Sequence, residues 1–278
     1  MHPNHSSGFL ASRSLFATFS LFALLAVAPV LSAQDRPKNP TGKIYVVSVE
    51  GASQFSNGDE VVALAVKSVF VAQGSRIETK PAGTVAMVLS NGTGFSLDKD
   101  TSIDVKRFTQ EAFVANRTNL DAEPSTSVTL VAVTRGTLAV STSKLAAGST
   151  MNFTTSLGSI NLRGGNVVIE ATGDYSKFSL LAGEGTVHGG DLDPAGHVVH
   201  TGEQAVIFPG QPGQPNIVKI GKIPAEELEF LDARVTIAYE ARKTVFFDTD
   251  ASGEVTAVPV VAATVPVSAT VSPSRLPR

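Results

Sequence analysis

Five side chains that could bind a metal or move protons lie close together in the stretch HGGDLDPAGHVVH. They are His188, Asp191, Asp193, His197 and His200. Imidazole and carboxylate groups together can ligate a divalent metal ion. In a strand, however, His197 and His200 would point to opposite faces, because they are three residues apart. The run Asp-Leu-Asp-Pro-Ala-Gly is typical of an exposed turn, so we predict no metal site here.

The short motifs that accompany catalysis are absent from the sequence. It contains no His-Glu-x-x-His, no P-loop and no Gly-x-Ser-x-Gly. The stretch NGTG at 91–94 lacks the strand–turn–helix setting of a phosphate loop. A Ser-His-Asp triad assembled by folding stays open as an alternative, because a triad is defined by geometry. We predict no catalytic residue, no cofactor and a chain that is not an enzyme.

Composition excludes several other classes of protein. The chain has 22 basic and 25 acidic residues, for a net charge of -3. A nucleic-acid-binding protein usually carries a basic surplus or patch, so we expect no nucleic-acid partner. Cysteine is absent, which excludes disulfides, thiolate metal sites and a cysteine nucleophile.

The N-terminus has the pattern of a secretory signal peptide over residues 1–33. Arg13 precedes an uncharged run from Leu15 to Leu31, and the residues LSA then precede Gln34. A basic residue, an apolar run and a small-residue site predict cleavage after Ala33. The alternative is an uncleaved anchor, since about 17 apolar residues is the lower limit for a membrane span. Either way, we expect the rest of the chain in the periplasm or at the cell surface. Membrane contact is expected only through this segment, and only if it is not cleaved.

Short apolar runs separated by turn residues fill the segment 42–210. Val85, Met87 and Leu89 alternate with small or polar residues, which predicts a half-buried strand. Asn91-Gly92 follows, a pair that favours a type I′ hairpin. Further strands are predicted at 43–49, 61–66, 127–133, 137–141, 150–155, 158–162, 166–170, 177–182 and 204–208. The pattern predicts an all-β domain, either a short-stranded sandwich or barrel, or a solenoid-like β-roll.

The segments that flank this domain have other patterns. The polar residues 34–41 predict a linker, and the proline- and glycine-rich segment 211–223 predicts a second one. The segment 224–243 predicts one appended helix that begins at a proline and ends in basic residues. Its apolar stripe is Leu228, Leu231, Val235 and Tyr239. Spaced prolines and low charge over 244–278 predict a low-complexity, disordered tail.

Seven segments in order over 42–210 resemble the periplasmic FecR-type domain, which is named after iron-dicitrate regulators. They are GKIYVVSVEG, AVKSVFVAQGSRIET, GTVAMVLSNGTGFSLDKDTSIDV, VTLVAVTRGTLAV, TTSLGSINLRGGNVVIE, FSLLAGEGTV and HTGEQAVIF. The resemblance implies a stack of short strands with sharp corners. Arg163-Gly164-Gly165 is one such corner, with glycine where the family usually has threonine. Glycines there would permit positive φ and close backbone approach. Arg163 would clamp carbonyls or a carboxylate; contact with an anionic ligand is the alternative.

The resemblance also limits the function that is expected. Full FecR-type regulators carry a cytoplasmic domain that handles a sigma factor, but only residues 1–14 precede the apolar run here. We therefore expect only the extracytoplasmic module, which would bind a protein or glycan at the cell envelope. One alternative is a regulatory module that relays an envelope signal through a membrane partner. A second alternative is an unrecognised hydrolase.

Overall fold

The computed structural model describes residues 39–58, 60–115, 117–250 and 252–260. The predicted signal peptide lies outside the described residues, as do most of the linker 34–41 and all of 261–278. Within the described residues there are seventeen strands and one helix. In chain order they are β1 Lys43–Glu50, β2 Ser53–Asn57, β3 Glu60–Ala63, β4 Val69–Val71, β5 Ser75–Thr79, β6 Thr84–Leu89, β7 Gly94–Leu97, β8 Ser102–Gln110, β9 Ser127–Ser141, β10 Thr150–Thr154, β11 Ser159–Ala171, β12 Ser176–His188, β13 His197–His200, β14 Glu203–Phe208, β15 Ile217–Lys222, α1 Ala225–Lys243, β16 Val245–Thr249 and β17 Val255–Pro259.

Strands β1 to β15 form one hydrogen-bonded network that folds over into two layers. The first layer contains β4, β1, β6, β7, β14 and β15, and the second contains β3, β2, β5, β8, β10 and β13. Three long strands, β9, β11 and β12, belong to both layers: one half of each pairs in the first layer and the other half in the second. The prediction of an all-β fold with one appended C-terminal helix is confirmed.

The main core lies between the two layers. Phe95 of the first layer meets Phe153 of the second edge to face, with ring centroids 6.1 Å apart. Both rings are fully buried, as are Met87 from the first layer and Ile77 from the second. Alternate residues of each strand point inward, and the alternation of apolar residues predicted from the sequence supplies them.

Glycines mark the places where the long strands pass from one layer to the other. Gly136 in β9, Gly164 and Gly165 in β11, and Gly183 in β12 all have positive φ. The β11–β12 register shifts between Leu162 and Gly165. Glycine takes up such a bend without a steric penalty, so each strand continues through it. The predicted breaks between 127–133 and 137–141, and between 158–162 and 166–170, are therefore corrected to bends inside continuous strands.

The bend at Arg163-Gly164-Gly165 is held mainly by backbone contact. A Cβ on Gly165 would lie 2.0 Å from the carbonyl oxygen of Ala182. The Gly165 N–H donates to the Oγ1 of Thr142 at 2.7 Å. Arg163 is largely exposed, and its guanidinium lies 3.7 Å from the carboxylate of Glu184. Arg163 therefore faces a carboxylate, as one of its predicted roles required, but as a loose surface pair.

The hairpin at Asn91-Gly92 is not of type I′. Gly92 has a φ of 83°, whereas Asn91 is not among the residues with positive φ. The Leu89 N–H donates to the Thr93 carbonyl at 2.9 Å, which closes a three-residue loop. Asn91 is fully buried, and its side chain donates to Ser127 and Glu123. These buried bonds fix the backbone of Asn91 in place of the local turn preference.

Helix α1 packs on the outer face of the first layer. Leu231 and Val235 are buried against Ala139 of β9 and Val168 of β11. Ala238 and Arg242 are also buried, whereas the predicted stripe residues Leu228 and Tyr239 are 43% and 39% exposed. The buried face is thus rotated from the prediction, because small residues let the helix backbone approach the sheet.

Two segments predicted to lack regular structure contain strands. The predicted linker 211–223 contains β15, which pairs with β14 over six residues. The predicted tail contains the β16–β17 hairpin, whose Val245 and Phe247 pack on Tyr45 and Val88. Pro259 is the last residue of β17, and β17 belongs to a two-stranded sheet, where an edge strand tolerates proline. Pairing with β14 in the first segment, and burial against β1 and β6 in the second, therefore outweigh the composition of these segments.

Candidate binding edge

Most of the outer face of the first layer is covered. The β16–β17 hairpin packs over β1 and β6, and α1 packs over β9 and β11. Over β14 and β15, by contrast, no further element packs within the part of the chain that the structure describes. One end of the layer is therefore accessible.

Among the residues that the structure describes, strand β15 is the last strand at this end and forms an unpaired edge. Within them it pairs with β14 alone, in six consecutive pairs without a bulge. All its residues except Val218 are exposed. The other terminal strands of the two layers, β3, β4 and β13, have four, three and four residues. An unpaired edge presents a row of free N–H and C=O groups to an incoming chain.

Two sets of side chains flank this edge, which we call the β15 edge. On the outer face, Ile217 lies opposite Phe208, and Lys219 lies opposite Val206. The Nζ of Lys219 stands 5.1 Å from the centroid of the Phe208 ring. On the other face, Val218 packs on the core, and Ile220 and Lys222 continue the alternation.

Ile217 and Ile220 are 53% and 41% exposed. The β15 edge thus combines apolar side chains with two lysines.

The two lysines of the β15 edge differ from the neighbouring Lys177 in their ion pairing. The ammonium group of Lys177 lies 2.9 Å from Glu170 and 2.8 Å from Glu227, which ties the first turn of α1 to the sheet. Burial lowers the pKa of Lys177, but the hydrogen bonds to Glu227 and Glu170 outweigh it and raise the pKa overall. Among the described residues, Lys219 and Lys222 have no carboxylate within ion-pair distance. Their charge is available to a partner.

The histidine and aspartate cluster at 188–200 forms a closed loop. Asp193 accepts hydrogen bonds from the N–H groups of Gly189 at 2.8 Å and Gly196 at 3.3 Å. Its carboxylate lies 3.2 Å from the Nε2 of His197, and its carbonyl lies 3.0 Å from the Nδ1 of His188. The bond from Gly189 is the main cause of a lowered pKa for Asp193. These contacts fit the turn that the sequence predicts.

Asp191 and His200 take no part in these contacts at Asp193; the His200 N–H donates to Glu203. Within the described ranges, no three His, Asp or Glu side chains come together in a way that could hold a metal ion. The two histidine ring contacts of the loop both involve Asp193, and neither involves a serine.

The β15 edge was not predicted from the sequence. Its residues IVKIGK follow directly on FPGQPGQPN. The prolines and glycines of that stretch favoured the prediction of a linker. The pair Val218 and Ile220, spaced by two before the helix, is the signal that could have indicated a strand. That the strand is an edge follows only from the strand order of the whole sheet.

No helix among the described residues is long and apolar enough to span a membrane. No protein-family model matches the sequence, and no curated protein matches it. The FecR-type resemblance therefore stays a prediction.

Two solved structures are similar to part of this chain, and both are described as candidate anti-sigma factors from Parabacteroides distasonis ATCC 8503. The one at 2.50 Å resolution has a TM-score of 0.41 and 14% identity; the match covers 55% of this chain and 62% of that chain. The one at 1.65 Å resolution has a TM-score of 0.40 and 10% identity, and the match covers 67% of this chain and 99% of that one. Likeness at this level does not extend to function.

Proposed function

We propose that this chain is an exported, non-enzymatic module that binds a protein partner at the cell envelope through the β15 edge. The observation that carries the proposal is the unpaired, exposed edge of β15. An extended peptide can add to such an edge, with main-chain hydrogen bonds giving affinity and side-chain contacts giving specificity. Exposed Ile217 and Ile220 supply those side-chain contacts.

The edge favours a protein over a glycan as the partner. Free N–H and C=O groups repeat along a strand at a spacing that another main chain reproduces. A glycan is joined through glycosidic oxygens, so its backbone has no N–H and C=O groups at the spacing of a β-strand. Relay of an envelope signal, the alternative raised by the FecR-type resemblance, would use the same edge and differs only in which protein is bound.

The scaffold behind the edge is suited to hold it in place. Strand β14 pairs with β12 as well as with β15, and Ala205 and Ile207 of β14 are fully buried in the main core. An edge that is already ordered lowers the entropic cost of binding.

The test is to place charges on the edge. The double variant Ile217→Lys, Ile220→Lys disfavours strand addition, and Ile237→Lys on the exposed side of α1 is the matched control, since Ile237 is 49% exposed. We expect the edge variant to lose an envelope protein that cross-links to the wild type, and the control to retain it. Amide exchange at 217–222 should also slow when that purified protein is added. Loss in the control alone, or unchanged exchange at 217–222, would contradict the proposal.

A further inference from the structure

We infer, building on the proposed function, that the β15 edge takes an extended segment carrying two carboxylates three residues apart. The chain as a whole has a net charge of -3, yet β15 contains two lysines and no acidic residue. The positive charge is therefore a local property of this edge.

The register fixes which side of an added strand each lysine meets. Lys219 shares the outer face with Ile217 and Gly221, whereas Lys222 shares the opposite face with Val218 and Ile220. A side chain on an added strand lies directly opposite one residue of β15, and opposite charges in such positions attract. One carboxylate on each face is required.

Each lysine already has surroundings that leave its charge for a partner. Lys219 stands over the Phe208 ring at 5.1 Å, which limits where its ammonium group can lie. Lys222 is opposite Glu203 in the register, but the Glu203 carboxylate accepts a hydrogen bond from the His200 N–H at 2.9 Å. Neither lysine is within ion-pair distance of a carboxylate in the described part of the chain.

The remaining positions of β15 complete the pattern. We expect apolar residues opposite Ile217, Val218 and Ile220. Gly221 leaves room for any side chain opposite it. An added antiparallel strand would therefore read acid, any residue, apolar, acid, apolar, apolar. A parallel strand would carry the same pattern in reverse.

A second copy of this chain fits the edge poorly. Pairing β15 with β15 would bring four lysines together with no carboxylate from either strand, and like charges in a sheet repel. Lysines on an edge also protect it from unwanted pairing, which is the competing explanation that the experiment must address.

The experiment uses fluorescein-labelled peptides and fluorescence anisotropy. The probes are Glu-Thr-Val-Glu-Val-Val and its reverse order, each with a control peptide in which both glutamates are lysines. We expect the acidic peptide in one order to bind about tenfold tighter than its lysine control, because attraction is replaced by repulsion at two cross-strand pairs. The preference should weaken as salt is added.

A charge swap provides the matched test. The variant Lys219→Glu, Lys222→Glu should prefer the lysine peptide, whereas the variant Lys67→Glu, Lys99→Glu, which changes the charge equally at exposed loop positions, should keep the wild-type preference. If the acidic peptide and its lysine control bind equally well and both slow amide exchange at 217–222, this inference is wrong but the proposed function is not contradicted. Binding of neither peptide would overturn both and assign the lysines a protective role. The chain could instead form a dimer in solution that the edge variant Ile217→Lys, Ile220→Lys abolishes. That result would show that a second copy of the chain, and not an acidic segment, occupies the edge.

Discussion

Gly94 in β7 and Ala238 in α1 meet backbone to backbone. A Cβ on Gly94 would lie 2.0 Å from the carbonyl oxygen of Ala238 and 3.3 Å from the Cβ of Arg242. Arg242 is buried beside this contact, and its guanidinium donates to the carbonyls of Gly92 at 3.1 Å and Leu120 at 2.7 Å. The absence of a side chain at Gly94 is therefore what lets the helix lie directly on the sheet.

Replacement of Gly94 by alanine should loosen the helix. The added methyl group cannot fit without moving the helix backbone, and such overpacking typically costs about 1–3 kcal/mol. Urea unfolding of Gly94→Ala should show this loss in the free energy of unfolding. Gly173→Ala is the control, because a Cβ there meets nothing within 4 Å. Equal stability of the two variants would show that the contact is not needed.

The bend in β11 leads to a second prediction, because its two adjacent glycines differ in what an added side chain would contact. Gly164 and Gly165 both have positive φ, but only Gly165 would press a Cβ against the backbone, whereas a Cβ on Gly164 would meet nothing closer than 3.5 Å. Gly164→Ala should cost about 1–2 kcal/mol, from backbone strain alone.

Gly165→Ala should cost more than Gly164→Ala, because strain and the clash with Ala182 act together. Thermal unfolding of the two variants beside the wild type measures the order. A reversed order, or no loss in either variant, would contradict the account of the bend.

Local sequence patterns predicted the elements whose structure is set by neighbouring residues. They missed the features whose structure depends on residues distant in the sequence. The alternation of Val85, Met87 and Leu89 locates β6 correctly, because all three side chains enter one core. The prediction that this strand is half-buried is wrong, since its other face is buried under the β16–β17 hairpin. The rotation of α1 depends on Gly94, which lies far from the helix in the sequence. The β16–β17 hairpin is likewise explained by Tyr45 and Val88, not by its own composition.

The candidate site was missed for a related reason. The alternation of apolar residues in IVKIGK indicates a strand when this segment is considered alone. Such an alternation does not indicate how many neighbouring strands will pair with it. Edge status is set by strand order, which the long strands β9, β11 and β12 determine by joining both layers. The histidine cluster shows the opposite case, since the turn predicted for 191–196 depends on the nearby residues Asp193 and Gly196.

The predicted signal peptide can be tested by N-terminal sequencing of protein from the envelope fraction. The mature chain should begin at Gln34, because cleavage requires small residues before the scissile bond. Ala33→Leu should block this cleavage, whereas Ala28→Leu should leave it unchanged. Wild-type protein that still begins at Met1 would indicate an anchored chain instead.

The last prediction concerns acid and the pair formed by Asp104 and Arg76. The Asp104 carboxylate accepts from the Nε of Arg76 at 2.6 Å and from its Nη2 at 3.1 Å, and Lys106 lies 2.7 Å away. The hydrogen bond from Arg76 is the largest cause of a lowered pKa for Asp104; burial opposes it and Lys106 adds to it. A folded-state pKa below the ordinary value of 3.8 means that the ionised carboxylate stabilises the native state.

That contribution is complete above the unfolded pKa of 3.8 and is lost as the pH falls through the lower, folded value. Asp104→Asn should therefore melt at a lower temperature than the wild type at pH 7, and the gap should narrow as the pH falls below about 4. Asp174→Asn, at an exposed position, is the control and should melt with the wild type at both pH values. Because Arg76 is half exposed, salt should shrink the gap at pH 7. A gap that stays constant down to pH 2 would show that the loss in Asp104→Asn comes from packing and not from the charge.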